Sequence, residues 1–282
     1  EGLRLDRAGW QAIEPRLRAR GIAEPADAET LAVSQEAFWQ IPDPWLARSP
    51  APAYPQTFTL TDGRRHPRRP VPPPGVLYSR HIPWLGQAVS FRPVEVARDL
   101  DLFHGWMNDP RVDAFFEEAG SRDTHARYLE GRLADPHMLP LIGCFGDSPF
   151  GYFEVYWAKE NRIAPFYDVQ DYDRGWHCVV GEDAFRGRPF ITAWLPSLMH
   201  FILLDDDRTQ RIVGEPAARH TQQVRNLDKA GFAKVKTFDF PHKRAQLVML
   251  LREQFFAERL WHPGGRTAAA ADSQTTTAAA AE

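Results

Sequence analysis

Residues Trp176 to Phe190 read WHCVVGEDAFRGRPF, an apolar run joined to a second one through two arginines flanking a glycine. A strand feeding such a loop, followed by a helix, turns main-chain N–H groups and a helix N-terminus toward a diphosphate. Gly187 allows close backbone approach to the oxygens. Arg186 and Arg188 add charge and donors. On the strand Phe150–Trp157 the period of two puts Glu154 and Tyr156 on one face and Trp157 on the other. Cys144 and Cys178 sit in apolar runs outside any CxxC pair. They read as small buried hydrophobes, with no zinc site, redox pair or acyl-enzyme nucleophile. Adjacent carboxylates at Asp205, Asp206 and Asp207 do not converge on one point at a helix end, so the run reads as a solvated turn and no metal is expected.

The elements that must position these residues lie between about 88 and 262. Strands are expected at Val89–Val94, Leu139–Phe145, Phe150–Trp157, Trp176–Val180, Arg211–Gly214, Ala233–Phe240 and Ala245–Leu251. Helices are expected at Arg98–Asn108, Ser121–Ala134, Phe190–Leu204 and Ala217–Ala230, the last stopping on Gly231. Ile191, Leu195, Leu198 and Ile202 form one apolar face, interrupted by Pro196. Strands with intervening helices make an α/β (α+β) domain, a mixed sheet with helices on its faces.

Residues 1–87 read as a helical and proline-rich N-terminal arm that wraps and packs on that domain. A helix is expected over Ala8–Arg20 and an edge hairpin around Phe58–Arg64. Eleven prolines between Pro42 and Pro83 forbid long helices or central strands there. The basic cluster Arg64, Arg65, His66, Arg68 and Arg69 reads as a solvated loop or as help for an anionic ligand. Residues 263–282 are Ala/Thr-rich without a packing pattern and read as a disordered tail.

The chain has 282 residues, 43% hydrophobic and 12% aromatic, with net charge −3. That near-balance argues against a nucleic-acid or anionic-membrane partner. No apolar stretch has the length of a membrane span. The opening Glu1–Arg4 lacks a signal-peptide run, and two unpaired cysteines suit a reducing compartment. The expected location is cytoplasmic.

The run from Arg211 to Pro216, then Asn226-Leu227-Asp228-Lys229-Ala230-Gly231-Phe232, resembles the C-terminal half of the GNAT acyl-CoA fold. In that family the strand before the phosphate loop holds pantetheine by main-chain hydrogen bonds, and a splayed neighbour makes room for the thioester. The family's loop pattern Q/R-x-x-G-x-G/A falls on Ala184, Gly187 and Pro189, of which Gly187 fits. Across residues 76–252 the likeness narrows to the siderophore branch. It is carried by Phe91-Arg92-Pro93-Val94 with Asp99-Leu100, Trp106 to Val112, His137 to Gly143, and Gly151 to Lys159. Tyr167-Asp168, Asp173 to His177 and Phe238 to Arg244 complete it. That branch includes N6-hydroxylysine acetyltransferases, hydroxy-diamine acylases and the mycobactin lysine acyltransferase.

The resemblance implies direct transfer from acetyl-CoA or another acyl-CoA to the nitrogen of an N-hydroxylated diamine or basic amino acid, giving a hydroxamate. It places His137 as general base and Asp173 as its orienting partner or as an anchor for the hydroxylamine. The strand His177, Cys178 and Val179 holds the cofactor, with Arg186, Gly187, Arg188 and Asn226. Trp106, Glu154, Tyr156 and Asp168 line the amine side, Glu154 facing a distant ammonium. His177 is itself a second candidate base. The tyrosine acid common in the wider family has no counterpart in Ala217–Ala230. A GNAT enzyme of other amine specificity, acting on aminoglycosides or proteins, and a non-catalytic GNAT-like assembly protein remain the alternatives.

Overall fold

The computed structural model describes residues 2–19, 21–47 and 56–264. The apolar runs assemble into one eight-stranded sheet. Its strands are β1 (Tyr78–Ile82), β2 (Gln87–Pro93), β3 (Met138–Phe145), β4 (Ser148–Trp157), β5 (Arg174–Val180), β6 (Arg211–Gly214), β7 (Ala233–Asp239) and β8 (Arg244–Leu251). Their order across the sheet is β7-β8-β6-β5-β4-β3-β2-β1. β3 is buried along its whole length, and β4 from Phe150 onward. Burial on both faces makes such strands near-continuous apolar runs without alternation.

Helices cover both faces. α1 (Val96–Met107), α2 (Pro110–Phe116) and α3 (Arg122–Ala134) follow β2. Leu100, Phe103 and Leu129 from this group pack on Ile142, Tyr152 and Val179. Ser121 caps α3, accepting from the Thr124 N–H at 3.1 Å, which satisfies one of the orphan donors of a helix start. On the opposite face lies α4 (Arg188–Asp205), whose Trp194, Leu195, Leu198 and Ile202 meet Leu141, Phe153, Val155 and Trp176. Pro196 is inside this helix. α5 (Thr221–Lys229) and α6 (Arg252–Ala257) complete the set. α5 starts later than expected because Ala217 bridges to Ala245. No described helix is long and apolar enough to cross a membrane.

All neighbouring strands are antiparallel except β5 and β6. These two are parallel and share only the pairs Arg174↔Ile212 and Gly175↔Val213. β5 continues to Val180, paired to β4 throughout, while β6 stays with β8. Past Gly175, the β6 side of β5 is therefore an unpaired edge bordering a slot.

Three expectations about the arm need correction. β1 belongs to the main sheet, pairing with β2, so the boundary expected between residues 87 and 88 falls before Tyr78. The helix expected over Ala8–Arg20 divides into Arg7–Trp10 and Glu14–Ala19, with Arg20 outside the described residues. The hairpin is present as Phe58–Thr61 with Arg64–Pro67. Its basic cluster is neither wholly solvated nor spread for an anion. Arg69 and Glu160 form an ion pair at 2.6 Å with both side chains 1% exposed, and Arg69 also donates to the Asp171 carbonyl at 2.9 Å. Arg64 donates to the carbonyls of Glu160 and Asn161 at 3.1 and 2.6 Å. Burying Arg69 is tolerable because it is paired and hydrogen-bonded. The arm thereby grips the segment 158–173 between β4 and β5. The tail, from residue 265, lies outside the described residues.

Candidate active site

His177 lies two residues past the last β5–β6 pair, opposite Glu154 of β4 in the ladder register. Its Nδ1 stands 2.9 Å from Glu154 Oε2 and its Nε2 stands 2.8 Å from Glu215 Oε1. Glu215 follows β6 directly, so the imidazole ties together three strands at the point where two of them part. Glu154 and Glu215 are buried. Glu154 accepts from the hydroxyls of Tyr128 and Tyr152 at 2.6 and 2.9 Å, and Arg132 Nε approaches it at 3.1 Å. Tyr156 donates to Glu215 at 2.8 Å. Gly175 makes that last bond possible. A Cβ there would sit 2.2 Å from the Tyr156 ring, and no real Cβ tolerates that approach.

These contacts separate the protonation states. Burial disfavours the charged form of Glu154, but the His177 hydrogen bond and charge outweigh it and hold the group down at about 2. Burial likewise acts against Glu215, and the charge of His177 brings it to about 2. Burial lowers His177, yet the charge of Glu215 and the bonds to both carboxylates raise it to about 9. Opposite charges within hydrogen-bond reach are the common cause.

The cofactor segment is built as expected in outline and differs in detail. Gly187, at φ +95° and ψ 177°, caps α4 without a side-chain hydrogen bond. The glycine-only backbone leaves the first N–H groups of α4 uncapped by side chains. Arg188 is exposed. Arg186, expected to meet the diphosphate, instead staples the loop. It donates to the Val180 carbonyl at 2.8 Å and pairs with Asp183 at 2.8 Å. On β5, Trp176 Nε1 is buried without a hydrogen-bond partner among the described residues, and it lies near Gly214 at the slot. A buried orphan donor of this kind suits an incoming carbonyl. Together with the unpaired edge, it fits a ligand carrying amides, as pantetheine does. Val179 is buried and Cys178 packs against the core. Burial pushes the Cys178 thiol up to about 12, which removes it as a nucleophile. Asn226 is engaged within α5, accepting from Gln222 at 3.0 Å.

Several expected residues stand elsewhere. His137 pairs with Asp135 at 2.5 Å and reaches Asn161 at 3.3 Å, so its carboxylate partner is Asp135 and not Asp173. Asp173 is buried and taken up by Arg211 at 2.6 Å, by Tyr167 at 3.0 Å and by the Gln170 N–H at 2.9 Å. The ladder sets His137 beside Trp157, whose partner on β5 is Arg174. That row is still closed. Standard strand dimensions put His137 about 10 Å across the sheet and about 10 Å along it from His177. Trp106 is buried against Gly181 and donates to Glu182 at 2.8 Å, so it is a packing residue and not a pocket wall. Asp168 is exposed, and its carbonyl accepts from Arg211 at 2.8 Å. Of the expected amine-side residues, the structure gathers Glu154 and Tyr156 around His177. Glu215 was missed from sequence. Its only signal was its place after β6, two residues beyond the partner of Gly175.

The family described as Acetyltransferase (GNAT) domain matches residues 95–240. A protein of Escherichia coli named N(6)-hydroxylysine O-acetyltransferase is 42% identical over 228 residues, covering 80% of this chain and 72% of that one. The N(5)-hydroxyornithine:cis-anhydromevalonyl coenzyme A-N(5)-transacylase of Beauveria bassiana is 46% identical over 195 residues, 68% of this chain and 43% of its own length. Among solved structures, an uncharacterized protein of Bacillus halodurans superposes with TM-score 0.61 at 27% identity, over 65% of this chain and 93% of that one. An aminoglycoside acetyltransferase in complex with coenzyme A shares the fold, with TM-score 0.55 at 21% identity over 61% of this chain and 99% of that one.

Proposed function

Because this chain belongs to the GNAT acetyltransferases, we propose that it carries an acyl group from acyl-CoA to the hydroxylated nitrogen of a basic amino acid or diamine, forming a hydroxamate. The observation that carries the reading is the early end of the β5–β6 ladder. An unpaired strand edge with a buried orphan indole N–H beside it is a receptor for the amides of a pantetheine arm. The relatives act on hydroxylysine and hydroxyornithine by name, and this supports a hydroxylated amine as acceptor here. A place in siderophore synthesis follows from the product, since hydroxamates chelate ferric iron.

The diphosphate lies at the Gly187 end of α4, where uncapped N–H groups and Arg188 meet negative charge. Main-chain N–H groups near His177 stabilise the oxyanion that forms as the nitrogen adds. A hydroxylamine is largely uncharged at neutral pH, so it attacks without prior deprotonation. Cys178 is held as a thiol, which leaves direct attack on the thioester as the route. Expected to be the catalytic pair, His137 and Asp173 are assigned to positioning. Each bonds into the segment 158–173, through Asn161 and through Tyr167 and Gln170 respectively. From that segment Arg162 approaches Glu215 at 3.8 Å.

The printed name of the Escherichia coli relative specifies oxygen as the acceptor atom; nitrogen is the acceptor proposed here, being the stronger nucleophile toward a thioester. The test crosses acetyl-, succinyl- and longer acyl-CoA with N6-hydroxylysine, N5-hydroxyornithine, N-hydroxyputrescine, N-hydroxycadaverine and their unhydroxylated parents, following thiol release. Products are then treated with ferric ion. N-acylation gives the coloured hydroxamate complex. Thiol release without colour identifies an O-ester, and preference for the parent amines overturns the substrate class.

A further inference from the structure

We propose that Arg162 and Lys243 form a carboxylate subsite on the acceptor side of the slot, so that the acceptor is an N-hydroxylated amino acid and not the diamine that lacks its carboxylate. The proposal rests on the acyl-transfer reading above and narrows its substrate class. One face of the slot is closed. Trp194 of α4 and Leu227 of α5 are buried there with Trp176, Ile212 and Phe232. Side chains alternate along a strand, so His177 and Glu215 point to the opposite face. An acceptor reaches the thioester from that side.

Two segments distant in sequence meet on this face beside Glu215. The turn between β7 and β8 is closed by the Phe240 N–H, which donates to the Lys243 carbonyl at 2.8 Å. Phe240 is buried, and its ring meets Phe166 of the segment 158–173 with centroids 4.9 Å apart. Three basic side chains surround the Phe240 ring. The Arg162 guanidinium lies 5.3 Å from its centroid and Lys243 Nζ lies 5.7 Å from it. The His242 ring stacks on it at 5.4 Å. Arg162 also approaches Glu215 at 3.8 Å, which ties the group to the place where β5 and β6 part.

These cations have donors to spare. Among the described residues neither the Arg162 guanidinium nor the Lys243 ammonium has a hydrogen bond, and Lys243 has no ion pair. Glu215 is already engaged by His177 and Tyr156. Its charge and that of Glu117 reach Lys243 and His242 only at longer range. Burial lowers the half-buried Lys243, and the charge of Arg162 adds to this against the two carboxylates. Burial, then Arg162 and Lys243, hold His242 below its ordinary value, so it contributes a neutral ring. Two cations that repel each other and keep free donors are relieved by an anion between them. A planar guanidinium fork and a compact ammonium together suit the two oxygens of one carboxylate. A dicarboxylic acyl donor carries such a group as well. The acceptor is the source proposed, because the subsite lies on the face away from α4, where the donor's diphosphate sits.

N6-hydroxylysine and N-hydroxycadaverine are the same chain with and without the carboxylate. The experiment measures kcat and KM for both with acetyl-CoA and the full chain, in wild type, Arg162→Gln and Lys243→Met. Wild type is expected to favour hydroxylysine about a hundredfold in kcat/KM. Each variant raises KM for hydroxylysine about tenfold with little change in kcat, as loss of uniform binding requires. Hydroxycadaverine, with no carboxylate to hold, changes far less. Coenzyme A binding by calorimetry is the folding control. If one variant fails to fold the other decides, and if both fail the wild-type ratio decides. A wild type that takes the two acceptors equally, or variants whose losses are equal for both, overturns the subsite. Succinyl-CoA with hydroxycadaverine separates the sources. A loss in the variants there that acetyl-CoA does not show assigns the carboxylate to the donor and overturns the proposal. A wild type that acylates no hydroxylamine overturns the substrate reading above instead, and lysine against cadaverine then decides the subsite by the same ratios.

Discussion

His177 on β5 and His137 beside β3 belong to one sheet with β4 between them, and each has a carboxylate within hydrogen-bond reach. Their surroundings differ in one decisive respect. His177 bridges two buried carboxylates from different elements at the place where β5 and β6 part. His137 has one local partner, Asp135, two residues away, at the end of the sheet where the strands are still joined. A chain-distant pair of carboxylates fixes ring orientation and protonation together. A local pair fixes a turn. Proximity of a histidine to an acid is therefore a weak guide to chemistry until the strand register shows what the ring faces.

That contrast can be broken by exchange. The largest effect is expected at the slot, where His177→Asn leaves Glu154 and Glu215 buried without the cation between them and lowers stability by about 3–5 kcal/mol, while His137→Asn loses one local partner and costs less than about 1 kcal/mol. Parallel urea unfolding checks the pair, and equal losses would erase the distinction. Next comes the clamp on the segment 158–173. Arg69→Ala leaves Glu160 charged and buried, and is expected to lower stability by about 3–5 kcal/mol, read as a shift of the urea midpoint. Gly175→Ala forces Tyr156 off Glu215, at a cost of about 1–3 kcal/mol in the same measurement, with a matching loss of turnover.

The pH dependence of stability separates the two rings further. His177 is raised in the folded state to about 9, so its contribution is complete below the ordinary value of about 6.5 and is lost as pH rises through 9. Glu154 and Glu215 are depressed to about 2, so theirs is present above the ordinary value and is lost as pH falls toward 2. Thermal unfolding is expected to be most resistant between about pH 4.5 and 6.5. The alkaline decline should flatten in His177→Asn and persist in His137→Asn. The smallest effect belongs to the phosphate loop. Arg188→Ala should weaken coenzyme A binding by about threefold to tenfold with reduced salt dependence, measured by calorimetry. Arg186→Ala should act through the loop it staples.

Much of this was legible in the residues. The strand runs, the hairpin β3–β4, the Gly187 loop opening α4 and the family likeness all follow from local pattern. The likeness also identified the strand bearing His177. What was not legible depends on register and on contacts between distant segments. Asp173 and His137 are separated by the end of β4, and sequence order does not reveal that Arg211 reaches the carboxylate first. Nor does it reveal that Glu215 meets His177, because the parallel pairing of β5 with β6 is a choice of topology. The cluster Arg64–Arg69 looked solvated because basic, proline-flanked runs usually are. Its burial is set by Glu160 and the carbonyls of a segment almost a hundred residues later.

The most direct measurement is a crystal structure with acetyl-CoA or coenzyme A bound. Pantetheine amides are expected to pair with the free edge of β5 between Trp176 and Val180. A coenzyme seated away from the parting of β5 and β6 would contradict it.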